Sequence, residues 1–164
     1  MMGVIGIDAD RARIAVVRHV GTSKAYYTID RMNAAGRIME GYSRALGHLM
    51  DKAQGKAVIF LEGIYLPRKG NPLRDLDTYR VLANVQGELL YEAARFGVDV
   101  RLVPPMEWQK RVLGFCTHRE KIKEASRAEA RRMFGAWNLT EHESDAACLC
   151  QYGRWVLRNE EGVA

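Results

Sequence analysis

Two short apolar runs, each closed by a carboxylate, constrain the fold more than any other feature. Val4-Ile5-Gly6-Ile7 leads into Asp8, and Val58-Ile59-Phe60-Leu61 leads into Glu62. Runs of this length, rich in β-branched residues, read as buried strands. Between them Ile38, Tyr42, Ala45, Leu46 and Leu49 recur at helical spacing, and Gly55 closes the segment. A strand, a helix and a second strand form a crossover, which sets the two strands parallel. Their carboxyl ends then share one edge, where ligand sites of open α/β sheets gather. If the strands are neighbours, about 5 Å separates their backbones, and the two acids converge. Bare carboxylates in such a place repel, and one retains its proton. A hard divalent cation removes the repulsion and takes oxygen ligands.

The remaining pattern extends the sheet. Gly3 to Ala9, Ile14 to Val17 and Ala25 to Ile29 read as three strands with short links, including the turn Gly21-Thr22-Ser23, so an antiparallel meander is expected. Leu66 to Pro72 is a basic loop with two prolines and a glycine. Leu76 to Phe96 is a helix with Leu82, Val85, Leu89 and Ala93 on one face, and Gly97 at its end. Val98 to Val103 alternates as an edge strand does, and Pro104-Pro105 stops it. Helices are expected over 106–113, 119–134 and 142–158. The expected fold is one α/β domain spanning residues 1–164. Its mixed five-stranded sheet has three antiparallel strands followed by parallel ones, with helices on its faces.

A chain of 164 residues suits one domain with a proper core. No apolar run is long enough to span a bilayer, and the opening MMGVIGIDAD lacks the pattern of a secretory signal. Cys116, Cys148 and Cys150 are odd in number and form no CxxC pair, which argues for free thiols in a reducing compartment. A cytoplasmic protein is expected. The net charge of +5 and a pI near 9.2 admit a polyanionic partner without establishing one.

A third acid comes from the last helix. His142 and Asp145 stand three residues apart, one turn apart on one helical face. Asp145 leads into Ala146, Ala147, Cys148 and Leu149, an apolar setting for a charge. Glu141 and Glu143 read as solvated. Each strand-end acid alone reads more readily as a solvated loop residue or a helix N-cap, and Asp145 alone reads equally well as a first-turn acid favoured by the helix dipole; order and placement together carry the reading. Asp10 rivals Asp8, because it lies two residues on and faces the same side if the strand continues.

These residues resemble the RuvC family of Holliday junction resolvases, within the RNase H-like and integrase superfamily, with the compact bacteriophage members most alike. The family opens with an apolar strand ending in Asp, here Gly6-Ile7-Asp8. It ends its fourth strand in an acid, here Glu62, and its last helix carries a His or Asp, two residues, then Asp, here His142 and Asp145. Lys110 and Lys121 bracket Val112-Leu113-Gly114-Phe115 as the family's basic residues do. Gln86-Gly87-Glu88-Leu89-Leu90 resembles its helix after the second acid, and Tyr65 matches an aromatic that stacks at the junction. The likeness runs over about residues 3–157, with Ala9-Asp10-Arg11 departing from the family's small turn.

The resemblance implies a homodimeric nuclease that cuts branched DNA, four-way junctions above all, and leaves 5′ phosphates. Asp8, Glu62 and Asp145, with His142, would hold two Mg²⁺ or Mn²⁺ ions. Lys121 and Lys110 would face the scissile phosphate. Between Lys110 and Arg132 eight basic residues stand against three acidic ones, a surplus equal to the charge of the whole chain. Lys110, Arg111, Arg119, Lys121 and Lys123 in this run, with Tyr65, Arg68 and Lys69 in the basic loop, form the expected DNA track. The helix Leu76–Phe96 is the expected dimer surface. Two other readings share these acids: an RNase H-like nuclease of different specificity, and a junction-binding protein that does not cut. An actin-like or sugar-kinase fragment is excluded by length and by the lack of glycine-rich phosphate loops.

Overall fold

The computed structural model describes residues 2–64, 72–114, 118–135 and 139–162. Its elements follow the order β1 (Gly3–Ala9), β2 (Arg13–Val20), β3 (Ser23–Asp30), α1 (Tyr42–Ala53), β4 (Ala57–Glu62), α2 (Pro72–Phe96), β5 (Val100–Val103), α3 (Pro105–Leu113), α4 (Arg119–Phe134) and α5 (Glu141–Glu161). The sheet runs β3-β2-β1-β4-β5. The first three strands pair antiparallel, and β1, β4 and β5 pair parallel. The expected mixed sheet is therefore present.

Several boundaries move. The hairpin arms β2 and β3 are longer than their apolar cores, because backbone pairing continues through Arg13, His19 and Lys24 up to a two-residue turn. Gly21 takes φ +59° there, a left-handed conformation that glycine adopts without a steric penalty. The helix expected from Ile38 starts at Tyr42, since Ile38 instead bridges Met32 and stays exposed. Helix α2 begins four residues before the expected Leu76, because proline is accommodated in a first helical turn.

Alternation along the strands divides the core in two. Val4, Val17, Val58 and Phe60 face α3, α4 and α5 and pack with Trp108, Ala130, Ala147 and Leu149. Ile5, Ile7, Val16, Ile59 and Leu61 face α1 and α2 and pack with Leu46, Leu49, Val85 and Leu89. The second layer carries a partly buried ion pair. Arg31, 5% exposed, donates two hydrogen bonds to Glu88 at 2.8 and 2.9 Å, and the Tyr42 hydroxyl donates to the same carboxylate at 2.9 Å. This network ties the end of β3 to α1 and α2.

Helix α5 lies directly on β1 because Gly6 has no side chain. A Cβ at Gly6 would stand 2.1 Å from the carbonyl oxygen of Ala146 and 2.4 Å from the amide nitrogen of Cys150. A Cβ at Gly153 would meet Phe60 at 2.4 Å and Val4 at 2.7 Å. The obstacle at Gly6 is helix backbone, which cannot rotate away. Gly6→Ala is therefore expected to lower the unfolding free energy by about 3 kcal/mol or more. Gly47→Ala, inside α1 with its nearest neighbour at 3.8 Å, should raise it by roughly 0.5–1 kcal/mol. Urea denaturation of the two variants checks both signs, and a Gly6→Ala protein of unchanged stability would contradict the close helix–strand contact.

Candidate active site

Parallel register brings the first two acids together. Ile7 of β1 faces Leu61 of β4, so Asp8 and Glu62 follow as neighbours at the carboxyl ends of adjacent strands. With a period of two, Asp8 lies on the same face as Val4 and Gly6, and Glu62 on the same face as Val58 and Phe60. That face is covered by α5, whose contact with Gly6 fixes its height above β1. The opening turns of α5 therefore stand over the ends of these strands, and they carry His142 and Asp145.

The entry to α5 is built by a capping box. The Thr140 hydroxyl accepts from the Glu143 amide at 3.2 Å, and a Glu143 carboxylate oxygen accepts from the Thr140 amide at 2.8 Å. Glu143 also accepts a 3.2 Å hydrogen bond from Thr28 of β3. Glu143 is buried, which corrects its reading as a solvated acid. The helix start is thereby pinned to the sheet, and Asp145 and His142 hold fixed positions.

Each acid has its own surroundings. The indole N–H of the fully buried Trp108 donates to Glu62 at 2.8 Å. The hydroxyl of buried Ser126 donates to Asp145 at 2.5 Å. His142 Nδ1 lies 2.6 Å from an Asp8 oxygen, and its Nε2 lies 3.2 Å from an Asp10 oxygen. Asp10 is held by its other oxygen, which accepts from the amides of Ala12 and Arg13 at 2.6 Å. So Asp8 and Asp10, rivals in the sequence, are joined by one imidazole.

Burial and mutual repulsion set the protonation of the cluster. Desolvation, then the charges of Asp8 and Asp145, push the Glu62 carboxyl up to about 8 against the opposing Trp108 hydrogen bond. Burial, then the charges of Asp8 and Glu141, push Asp145 up to about 6, with the Ser126 hydrogen bond opposing. The hydrogen bond to Asp8, with the charges of Asp8, Asp10 and Asp145, raises His142 to about 9. In this state a protonated imidazole supplies the cation that the acids lack. Among the described residues no group of three or more histidine, cysteine or acidic side chains is arranged to hold a metal ion. The donor set nonetheless suits a hard divalent cation: carboxylate oxygens, half-buried, that repel one another in its absence.

The expected DNA-contacting residues separate into groups. Lys121 and Arg119 are exposed on α4, and Lys110 is exposed on α3. Lys123 is paired with Glu141 at 3.0 Å, beside the first turn of α5. The Arg111 guanidinium stacks over the exposed Trp155 ring at 4.0 Å from its centre. Tyr65, Arg68 and Lys69 lie outside the described residues. Ile64, just before them, donates its amide to Gln86 of α2 at 3.3 Å. Cys148 and Cys150 are buried free thiols, as expected; Cys116 lies outside the described residues. Sequence reasoning missed Trp108 and Ser126. Neither has a motif of its own.

No protein-family model and no curated protein sequence matches the chain. Solved structures do match. T. thermophilus RuvC in complex with a Holliday junction substrate superposes with a TM-score of 0.68 and 14% sequence identity, over 98% of this chain and 97% of that one. A second Thermus thermophilus RuvC structure gives a TM-score of 0.62 and 15% identity, over 97% of both chains. Nearly the whole chain is accounted for by this likeness, and it has the RNase H-like fold of the RuvC structures.

Proposed function

We propose that the protein is a divalent-metal-dependent endonuclease that resolves four-way DNA junctions by paired phosphodiester hydrolysis, leaving 5′ phosphates. The meeting of Asp8 and Glu62 at adjacent strand ends with Asp145 of α5 is the observation that carries this reading. The likeness to a RuvC structure holding a Holliday junction supports the substrate class. Asp8, Glu62 and Asp145, with His142, would hold two Mg²⁺ or Mn²⁺ ions. Bound there, the ions would lower the pKa of a water and offset charge on the leaving oxygen.

The chain's own residues supply the rest. Trp108 and Ser126 each donate to one acid and restrict its rotation. The imidazolium of His142 directs one N–H to Asp8 and the other to Asp10, and a bound cation would compete with it for these carboxylates. Lys121 and Arg119, exposed beside the acids' helix layer, would meet phosphates of the DNA, with Lys110 on α3. Their contribution is electrostatic and falls as salt rises. Leu76 and Tyr91 leave large apolar surfaces exposed on α2, which supports this helix as the surface of a C2 homodimer matched to the two-fold junction. Such an enzyme would work in the cytoplasm, and no described helix is long and apolar enough to cross a membrane.

Incubation of a synthetic four-way junction with Mn²⁺ is expected to give symmetric paired nicks. Asp145→Asn and Glu62→Gln should bind the junction but cut it slower by about 10²-fold or more. Binding by the wild type without nicks in either Mn²⁺ or Mg²⁺ would identify a non-cutting junction protein. Equal cutting of flaps and forks would identify a broader nuclease.

Trp108→Phe keeps an aromatic ring but removes the donor to Glu62. It should weaken Mn²⁺ binding and slow nicking by about 10–100-fold, with calorimetry giving the first and gel kinetics the second. Wild-type Mn²⁺ affinity in the folded variant would show that the indole only fills the core.

Proton linkage gives a pH prediction. The Glu62 carboxyl titrates near 8 when folded and near its ordinary 4.5 when unfolded. The folded state thus binds the extra proton between these values, and metal-free stability falls as pH rises through that window. His142, raised from 6.5 to about 9, acts in the same direction over the upper part. Melting temperature without metal should drop between pH 6.5 and 8, and Mn²⁺ should restore it at pH 8. Glu62→Gln should flatten the metal-free slope; an unchanged slope would remove Glu62 as its source.

A further inference from the structure

The end of the sheet opposite the acids carries a second charged feature. Val4 and His19 face each other there across β1 and β2. With Met2 and Gly21, and with Arg154, Leu157 and Arg158 of α5, they line a cavity of about 30 Å³. That space accepts a water or the inward oxygens of a small anion. Four residues separate Val4 from Asp8 along β1, about 13 Å of strand, so this cavity is distinct from the acid cluster.

Its lining is basic and incompletely satisfied. His19 is 7% exposed, and its Nδ1 is the one buried side-chain nitrogen or oxygen among the described residues with no hydrogen-bond partner. Burial and the charges of Arg154 and Lys24 hold its pKa below the ordinary value, against a backbone hydrogen bond to Gly21, and the hydrogen-bonding capacity of the buried Nδ1 is left unused. Half-buried Arg154 donates to Gln151 at 3.4 Å and is crowded by the Arg158 charge. The Lys24 ammonium donates to the Met133 carbonyl at 2.9 Å. Among the described residues, none of these three cations forms an ion pair with a carboxylate. Two neighbouring guanidiniums without a carboxylate match an acceptor-rich anion in both charge and hydrogen-bonding sense, beside a buried imidazole nitrogen that has no partner.

We infer that this cavity binds a single phosphate-class oxyanion, held by Arg154 and Arg158 beside the His19 imidazole. A phosphodiester of a DNA arm and free inorganic phosphate share this chemistry.

The test titrates inorganic phosphate into the protein at constant ionic strength, balanced with chloride, and follows the His19 ring by ¹H–¹⁵N correlation spectroscopy. A saturating shift of the His19 resonances is expected. The double variant Arg154→Gln/Arg158→Gln should weaken it about tenfold or more, since each lost charge-assisted hydrogen bond is of that size. Both side chains lie at the surface side of α5, so the variant should fold, with wild-type circular dichroism as the check. Glu62→Gln/Asp145→Asn should leave the shift intact. No saturation, or the same saturation in the arginine double variant, would overturn the site and leave a cavity for water only. Adding a short unbranched duplex to the phosphate-bound protein separates the sources. Displacement of phosphate at His19 identifies a DNA backbone contact, and an undisturbed His19 signal identifies a free phosphate ligand.

Discussion

The close approach of α5 to β1 at Gly6 governs the rest of the structure. With no side chain at that position, helix backbone packs on strand backbone, and Ala146 and Cys150 sit where a Cβ would be. Everything chemical on α5 is placed by this contact. Its first turns reach over the ends of β1 and β4, and its buried face, from Ala146 through Leu149 to Leu157, closes one of the two cores. A shift of α5 by even a fraction of a side chain would part Asp145 from Asp8 and Glu62. The glycine is thus a condition for the site as well as for the packing.

An acid cluster placed by packing costs stability. Glu62 and Asp145 are held in a half-buried place where their charges oppose one another, and their raised pKa values record that cost. The fold answers it in two ways. Trp108 and Ser126 each spend a buried donor on one carboxylate, which favours the charged form. His142 places an imidazolium between Asp8 and Asp10, one ring nitrogen toward each. Neither device removes the repulsion between Glu62 and Asp8. What remains is the repulsion that helps raise Glu62, and a bound divalent cation would relieve it. Structural acids are usually paired where they are buried, as Glu88 is with Arg31.

Much of this was legible because it is periodic or terminal. The apolar runs before Asp8 and Glu62 predict strands, the helix between them predicts a parallel pair, and register then places the acids side by side. The three-residue step from His142 to Asp145 puts both on one helical face. The interactions that do not repeat were not legible. Nothing in the spacing of Trp108 or Ser126 reveals that α3 and α4 deliver them to Glu62 and Asp145, because these contacts span 46 and 19 residues. Glu143 was misread for a related reason. A first-turn acid is ordinarily solvated, and only the tertiary contact with Thr28 of β3 buries it. The apolar run favours Asp8 over Asp10 in one dimension, whereas the contact that joins both through His142 is not periodic and was not legible.

Helix α5 also arranges charge along its own axis. Glu141 and Glu143 occupy its first turn and Arg158 its last, an order that complements the helix macrodipole, positive at the first end and negative at the second. The macrodipole therefore favours acids over the carboxyl ends of β1 and β4, and bases at the opposite end of the sheet beside His19. One helix seated on one glycine thus separates the charge of a basic protein into an acidic end suited to cations and a basic end suited to anions. Net charge alone does not describe such a chain. The surplus of five positive charges coexists with a site that lacks one, and the spacing between the two ends is set by the length of strand that α5 covers.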